Sequence, residues 1–311
     1  MPNIRYIAVT GLCGFSAGIG AFIGSKYEKF KLTNITSGNA ETGYFLPKVS
    51  ASTSIVNSSS SPAIINQAQP VNRVSEIMKY GFPSLDNIRS FDNFVLAYDR
   101  RNRNAHWVFE HLRPEHVTKN DTTSRSKSNF MDDNSVHQYF RATNDDFKKS
   151  GYDRGHLAAA ANHRHSQKAM DQTFILSNIS PQVGAGFNRG AWNDLEKYVR
   201  AIARKNRNVY CCTGPLYLPK RDVDGKLYVK YEVIGKNNVS VPTHFFKVVL
   251  IENNDGQYQL LSFVMPNQEL PEKVNLKNFL VPLDSIERAA GLLIFDKFPR
   301  NSIHMINGKT M

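Results

Sequence analysis

The stretch that decides the fold runs from residue 150 to residue 163 and reads Ser150-Gly151-Tyr152-Asp153-Arg154-Gly155-His156-Leu157-Ala158-Ala159-Ala160-Ala161-Asn162-His163. Its centre places an acid, a permanent cation, a glycine and a titratable imidazole in four successive residues. Further along the chain come Asn178-Ile179-Ser180-Pro181-Gln182 and then Asn188. A lone histidine would carry little information, but this order of residues is much more specific than any of its parts.

An amphipathic helix is predicted after Asn188, over residues 191 to 204. Its apolar residues recur at intervals of three and four, at Trp192, Leu195, Val199 and Ile202. At about 100° per residue, Asn193, Glu196 and Arg200 share one flank of this stripe. Glu196 and Arg200 alone would be an ordinary surface ion pair. The preceding motif favours a shared site instead.

Strands rich in β-branched and aromatic residues are predicted after residue 71. They cover residues 94 to 98, 107 to 112, 173 to 176, 208 to 213, 227 to 234, 243 to 252 and 257 to 265. The last three are predicted to form a meander, whose second turn carries Asn253-Asn254-Asp255-Gly256. This pattern favours an antiparallel sheet over a doubly wound parallel one.

The composition is that of a basic globular protein. The 311 residues include 39 Lys and Arg against 27 Asp and Glu, a net charge of +12, and 41% are hydrophobic. Such a chain is not repelled by DNA, RNA or anionic lipid. The three cysteines, Cys13, Cys211 and Cys212, provide neither a disulfide scaffold nor a four-ligand Cys/His zinc site. Any metal is therefore held by oxygen or histidine.

Three regions are predicted from the distribution of charge and polarity. Residues 1–25 form a hydrophobic targeting or sorting segment, whose uncharged part, 6 to 24, is long enough to cross a bilayer. A signal peptide, a membrane anchor and an organellar targeting segment all remain open for it. Residues 26–70 are a flexible Ser/Thr/Asn-rich linker. Residues 71–311 are a single folded domain.

The motifs after residue 71 together resemble the DNA/RNA non-specific nucleases of the ββα-metal family. The resemblance rests on Tyr98-Asp99-Arg100-Arg101-Asn102-Arg103, Trp107-Val108, Asp153-Arg154-Gly155-His156, Asn178 to Gln182, Ala191 to Tyr198, Thr213-Gly214-Pro215 and Val241 to Lys247. It implies an α+β fold with a mainly antiparallel central sheet flanked by helices and an active site on a ββα motif. It also implies a Mg²⁺-dependent, sugar-non-specific endonuclease that leaves 5′-phosphate ends.

The resemblance assigns the general base to His156, the single direct metal ligand to Asn188 and a carboxylate acting through metal-bound water to Glu196. An imidazole with an unperturbed pKa near 6.5 can accept a proton from water at neutral pH. Mg²⁺ prefers hard oxygen ligands and keeps several waters, so one amide oxygen is sufficient. Mn²⁺ would satisfy the same ligands.

Four further residues are predicted to contact nucleic acid. Arg154 and Arg200 match family arginines that neutralise phosphate, a role suited to the guanidinium fork. Arg125 is a candidate substrate contact. Asn162 is a neighbour of the site, although an amide at that position can equally cap a helix. Asp153 is expected to fix the loop rather than to act in catalysis.

The other histidines and the cysteine pair are interpreted as structural. His163 and His165 point apart and are not expected to share one metal ion. His244 is predicted to be a strand residue. Cys211 and Cys212 should face opposite sides of one strand, as packing or redox-exposed residues.

Two other classes of function differ in the residues that they would require. A non-catalytic basic nucleic-acid-binding protein would not require His156, Asn188 or Glu196, and a membrane-anchored interaction protein would explain only residues 6 to 24. The resemblance implies a homodimer in the mitochondrial intermembrane space, with nuclear release and DNA fragmentation in apoptosis, and membrane contact only through residues 6 to 24. Secretion is the competing location, and it predicts glycans on accessible sequons, which begin at Asn34, Asn57, Asn120, Asn178 and Asn238.

Overall fold

The computed structural model describes residues 72–310. The predicted targeting segment, 1–25, and the predicted linker, 26–70, lie outside the described residues. Within residues 72–310 no helix is long and apolar enough to span a membrane.

A large central sheet organises the described residues. The strands are β1 (Ile88–Ser90), β2 (Phe94–Asp99), β3 (Asn104–Leu112), β4 (Tyr152–His156), β5 (Ile179–Val183), β6 (Asn208–Leu216), β7 (Lys220–Arg221), β8 (Leu227–Tyr228), β9 (Val233–Ile234), β10 (Val239–Ser240), β11 (His244–Glu252), β12 (Tyr258–Pro266), β13 (Ile303–Ile306) and β14 (Lys309–Thr310). Eight of them form one sheet in the order β1-β2-β3-β6-β11-β12-β13-β14. Adjacent strands in this sheet are antiparallel, except that β12 and β13 are parallel. The predicted α+β class with a mainly antiparallel sheet is confirmed.

Helices cover both faces of this sheet. They are α1 (Arg73–Ile77), α2 (Pro114–Val117), α3 (Asn144–Phe147), α4 (Gln167–Gln172), α5 (Trp192–Ala203) and α6 (Leu283–Ala290). Short 3₁₀ turns span Arg125–Lys127, Ala160–Asn162, Leu176–Asn178, Leu276–Phe279 and Arg300–Ser302. The apolar stripe of α5 packs in one core and that of α6 in the other. The predicted helix over 191 to 204 is confirmed.

The central strands are apolar on both faces because both faces are covered. Successive side chains of a strand point to opposite sides of the sheet. Phe245 and Val249 of β11 therefore lie in the core beneath α5, whereas Phe246 and Val248 lie in the core beneath α6. A continuous apolar sequence is the expected pattern for such a strand.

The hairpin β4–β5 carries the Asp-Arg-Gly-His motif and is a separate two-stranded sheet. Its strands are antiparallel, with Gly155 opposite Ser180 and His156 opposite Ile179. A π-helical turn, Gly184–Ala191, then leads directly into α5. The order β4, β5, α5 is thus a ββα unit.

Two predicted strands are wrong. Residues 173 to 176 follow the end of α4 and lead into a 3₁₀ turn, and Phe174 is buried in a small apolar cluster beside that helix. Residues 227 to 234 contain only the short strands β8 and β9. They do not pair with β11, because β6 and β12 occupy both of its edges. The second pairing of the predicted meander, β11 with β12, is confirmed.

The cysteines and His244 lie in strands, as predicted. Cys211 and Cys212 are free, fully buried and on opposite faces of β6, so neither is exposed to oxidants at the surface. His244 begins β11, and its Nδ1 lies 3.0 Å from the Thr243 hydroxyl.

A histidine pair fixes α1 to the sheet. Arg73 of α1 donates from Nη1 to Nδ1 of His111 over 2.9 Å and from Nη2 to Nδ1 of His116 over 3.3 Å. Burial, reinforced by the positive charge of Arg73, lowers the pKa of His111 to about 4 and that of His116 to about 3. Both rings are therefore neutral in the folded domain at neutral pH.

We expect the low pKa values of His111 and His116 to make the folded domain less stable in acid. In the unfolded chain these histidines have the ordinary pKa of about 6.5, so below that pH the unfolded chain binds protons that the folded chain does not. The free energy of unfolding therefore decreases as the pH falls from about 6.5 towards 3. His116→Asn should make the decline of the melting temperature between pH 7 and pH 5 shallower. The exposed His304→Asn is the control and should leave the slope unchanged. Equal slopes in all three proteins would contradict this account.

Candidate active site

The ββα unit brings the predicted chemical residues to one cleft of about 430 Å³. His156 is the last residue of β4, Asn188 lies in the π-helical turn, and Glu196 and Arg200 project from α5. All four side chains line the cleft together with Arg125. Glu196 and Arg200 are therefore part of a cleft rather than an ordinary surface pair.

The walls of the cleft are strongly basic. Among residues 72–310, six cationic side chains line it against the single carboxylate of Glu196, namely Arg125, Arg164, Arg189, Lys197, Arg200 and Arg204. A concave surface with one sign of charge raises the local concentration of an oppositely charged ligand. The cleft therefore suits a polyanion such as a phosphodiester backbone.

His156 is held neutral by its surroundings. Its side chain is only 7% exposed, and burial, together with the positive charge of Arg125, lowers its pKa to about 3. Desolvation disfavours the charged form of an imidazole. The ring is therefore a free proton acceptor at neutral pH.

Aromatic packing orients the His156 ring. Its centroid lies 4.6 Å from that of Phe174, edge to face, and 5.5 Å from that of Phe130. Among residues 72–310, no group makes a hydrogen bond to the buried Nε2. The side chains of Phe130 and Phe174 thus position the ring.

Asn188 is fixed through the nitrogen of its amide. Nδ2 donates to Oδ2 of Asp153 over 2.7 Å, and the same carboxylate oxygen pairs with Arg189. Within residues 72–310, no donor contacts Oδ1 of Asn188. The amide oxygen is consequently available to an external ligand, and Asp153 acts on Asn188 rather than only on its own loop.

Glu196 sits at the boundary between cleft and core. Its side chain is 15% exposed, and Oε2 lies 3.8 Å from Nη1 of Arg200. Burial raises the pKa of Glu196, and the positive charges of Lys247 and Arg200 oppose that rise. The buried Lys247 donates to the Thr213 hydroxyl over 2.6 Å and lies 5.0 Å from the centre of the Trp192 ring.

Lys247 was missed by the sequence analysis, although a signal was present. It is the single charge in the apolar run from 245 to 251 of β11, and it lies on the same face as Phe245 and Val249, which belong to the core beneath α5. Glu110 of β3 was missed in the same way. Both residues place a charge under α5, close to the cleft.

Arg154 and Asn162 do not line the cleft. The exposed Arg154 donates to Oδ1 of Asn144 over 2.7 Å, and its guanidinium carbon lies 4.1 Å from the centre of the Phe130 ring. Asn162 lies behind the cleft wall and accepts a hydrogen bond from Arg200. Arg125 does line the cleft, with its guanidinium 5.7 Å from the Phe174 ring centre.

Close packing in the hairpin requires a glycine at position 155. A Cβ on Gly155 would overlap the side chain of Gln182, which is fully buried and cannot turn away. Gly155→Ala should therefore destabilise the domain by about 1–3 kcal/mol, measured by calorimetric melting. Gly184→Ala is the matched control, because the three atoms nearest to its Cβ all belong to the movable end of Arg189, at 2.6 to 2.9 Å. Equal melting temperatures for the two variants would refute this role of Gly155.

Fold and site together are those of a ββα-metal nuclease: a hairpin that ends in a histidine, a turn with an asparagine, and a helix with a carboxylate beside a basic cleft. A profile of the family described as DNA/RNA non-specific endonuclease matches residues 73–301. The chain belongs to this family and is a nuclease.

Individual relatives agree with this assignment. A Caenorhabditis elegans protein named "Endonuclease G, mitochondrial" is 47% identical over 293 residues, which is 94% of each chain. A Homo sapiens protein of the same name is 57% identical over 218 residues, 70% of this chain and 72% of that one. A solved structure of an EndoG/EndoGI complex matches with a TM-score of 0.77 and 56% identity, covering 78% of this chain and 99% of that chain.

Proposed function

We propose that the chain hydrolyses phosphodiester bonds of DNA and RNA with Mg²⁺, without distinguishing the two sugars, and leaves 5′-phosphate ends. Mn²⁺ is the alternative ion. The observation that carries this proposal is the basic cleft, in which a neutral imidazole, an unpartnered amide oxygen and a carboxylate face the same space. A purely electrostatic binding site would need only the cations.

The residues present fit a metal ion that keeps most of its waters. No group of three or more His, Cys, Asp or Glu side chains that could hold a metal occurs within residues 72–310. The free Oδ1 of Asn188 would hold the ion directly, and Glu196 would hold it through water. When bound, the ion would supply positive charge to the phosphate and the leaving oxygen.

The chain's own groups perform the remaining tasks. His156 accepts the proton of the attacking water, and Nδ1 is the nitrogen available for it because Nε2 is buried. Asp153 holds the amide of Asn188 in one orientation. Arg125 and Arg200 bind phosphate from the cleft wall, and the exposed Arg154 contacts the bound strand at its edge.

Nicking of a plasmid and cleavage of an RNA by the purified full chain test this function. We expect cleavage of DNA and of RNA with Mg²⁺, none with excess chelator, and 5′-phosphate at the new ends. Because the cations contact a backbone that is the same at every base, little sequence preference is expected. Binding without cleavage under every metal condition would leave the alternative, a non-catalytic basic nucleic-acid-binding protein.

We also propose that the protein is a homodimer of the mitochondrial intermembrane space, with residues 1–25 as its targeting segment, and that nuclear release leads to DNA fragmentation in apoptosis. The names of the Caenorhabditis elegans and Homo sapiens relatives support the mitochondrion. Fractionation of cells tests the location. Secretion would instead leave glycans on Asn120 and Asn238, which are exposed, but not on the fully buried Asn178.

A further inference from the structure

A buried carboxylate lies under the cleft and has no part in the chemistry described above. Glu110 of β3 is 1% exposed, and the nearest residues on the same face of the strand, Val108 and Leu112, are apolar and buried. Its Oε1 accepts hydrogen bonds from Nδ2 of Asn162 over 2.9 Å and from Nε2 of His163 over 3.1 Å. A charge is costly to bury unless it is hydrogen-bonded. We therefore expect a glutamate at this position to have a function beyond packing.

Asn162 connects this carboxylate to the cleft. Its side chain is also buried, and its Oδ1 accepts from Nη1 of Arg200 over 3.3 Å. The same nitrogen lies 3.8 Å from Oε2 of Glu196. Because Nδ2 of Asn162 is held by Glu110, the amide cannot turn over, and its oxygen stays directed at the guanidinium.

We propose that Glu110 is a positioning residue for the nuclease reaction, which acts through Asn162 to hold the guanidinium of Arg200 in the cleft wall. The proposal rests on the function proposed above. Neither Glu110 nor Asn162 lines the cleft, and the hydrogen bond from Arg200 to Asn162 connects both to its wall. A residue of the central sheet thereby fixes a cation that faces the substrate.

The first test compares substitutions that keep or remove the hydrogen-bond acceptor. Glu110→Leu should lower kcat/KM by about 10–100-fold, the usual effect of removing a support of an active-site group, and mainly through kcat. Glu110→Gln keeps an acceptor oxygen for Asn162 and should restore most of the activity. Glu252→Leu removes another buried carboxylate of the same sheet, which binds Asn208 and not the cleft, and should leave kcat/KM unchanged.

The second test is a double-mutant cycle with Arg200→Ala. If Glu110 acts through Arg200, Glu110→Leu causes no further loss once Arg200 is absent. Independent losses that multiply, or a Glu110→Leu protein with wild-type kcat/KM, would overturn the proposal. Should Glu110→Leu fail to fold, Asn162→Ala replaces it in the same cycle with the same expectations. Absence of cleavage by the wild type would instead contradict the proposed function itself.

Discussion

Replacement of His156 by Ala is expected to lower the rate of DNA cleavage by about 10²–10⁴-fold, the usual contribution of a general base. DNA affinity should persist, because the six cationic side chains of the cleft are unchanged. Single-turnover nicking of a plasmid with Mg²⁺ measures the rate, and filter binding with Ca²⁺ in place of Mg²⁺ measures the affinity. The two quantities should separate, since the imidazole takes part in chemistry and the arginines in binding.

His304→Ala provides the matched control, because this exposed histidine lies in β13 and not at the cleft. It should cleave at the wild-type rate. A His156→Ala protein that still nicks DNA at that rate would exclude His156 as the base. A protein that loses affinity together with cleavage would instead assign His156 to substrate binding.

Much of the site could be predicted because its residues are close in sequence or recur with a local period. The stripe of α5 follows from the spacing of Trp192 and Leu195, and the same spacing places Glu196 and Arg200 on one flank. The pairing of β11 with β12 follows from a short turn rich in Asn and Gly. Each of these features depends on interactions within a few residues along the chain.

The hairpin β4–β5 could not be predicted in the same way. β4 is mostly polar and lacks the alternation of a half-buried strand, and its partner lies beyond an intervening helix, α4. The pairing of Gly155 with Ser180 stabilises it, and that contact is distant in sequence. Burial of Phe174 gave a false strand signal for a related reason, because an apolar run does not show which element it belongs to.

The contacts of charged side chains also could not be predicted from the sequence. The position of Glu110 could be assigned to the core from its neighbours, but its partners Asn162 and His163 come from another part of the chain. For Arg154 the motif identified the residue, but it did not show that the side chain packs on Phe130 outside the cleft. Long-range contacts set both outcomes, and one sequence does not contain them explicitly.

Substitution of Asn188 by Ala should lower kcat/KM by about 10²-fold or more, because a bound metal contributes several kcal/mol to stabilising the charge of the transition state. Oδ1 of Asn188 is the amide oxygen left free by the hydrogen bond of Nδ2 to Asp153. Its loss should also raise the Mg²⁺ concentration that gives half-maximal cleavage. A titration of the cleavage rate against Mg²⁺ measures both effects.

Asn193→Ala separates metal binding from a general loss of polarity in the cleft. Asn193 lines the same cleft from α5 and carries the same side chain, but no metal role is proposed for it. Its Mg²⁺ dependence should match that of the wild type, because the ion would be bound by Asn188 and, through water, by Glu196. If both variants shift the Mg²⁺ titration equally, or if Asn188→Ala leaves it unchanged, Asn188 is not the direct ligand.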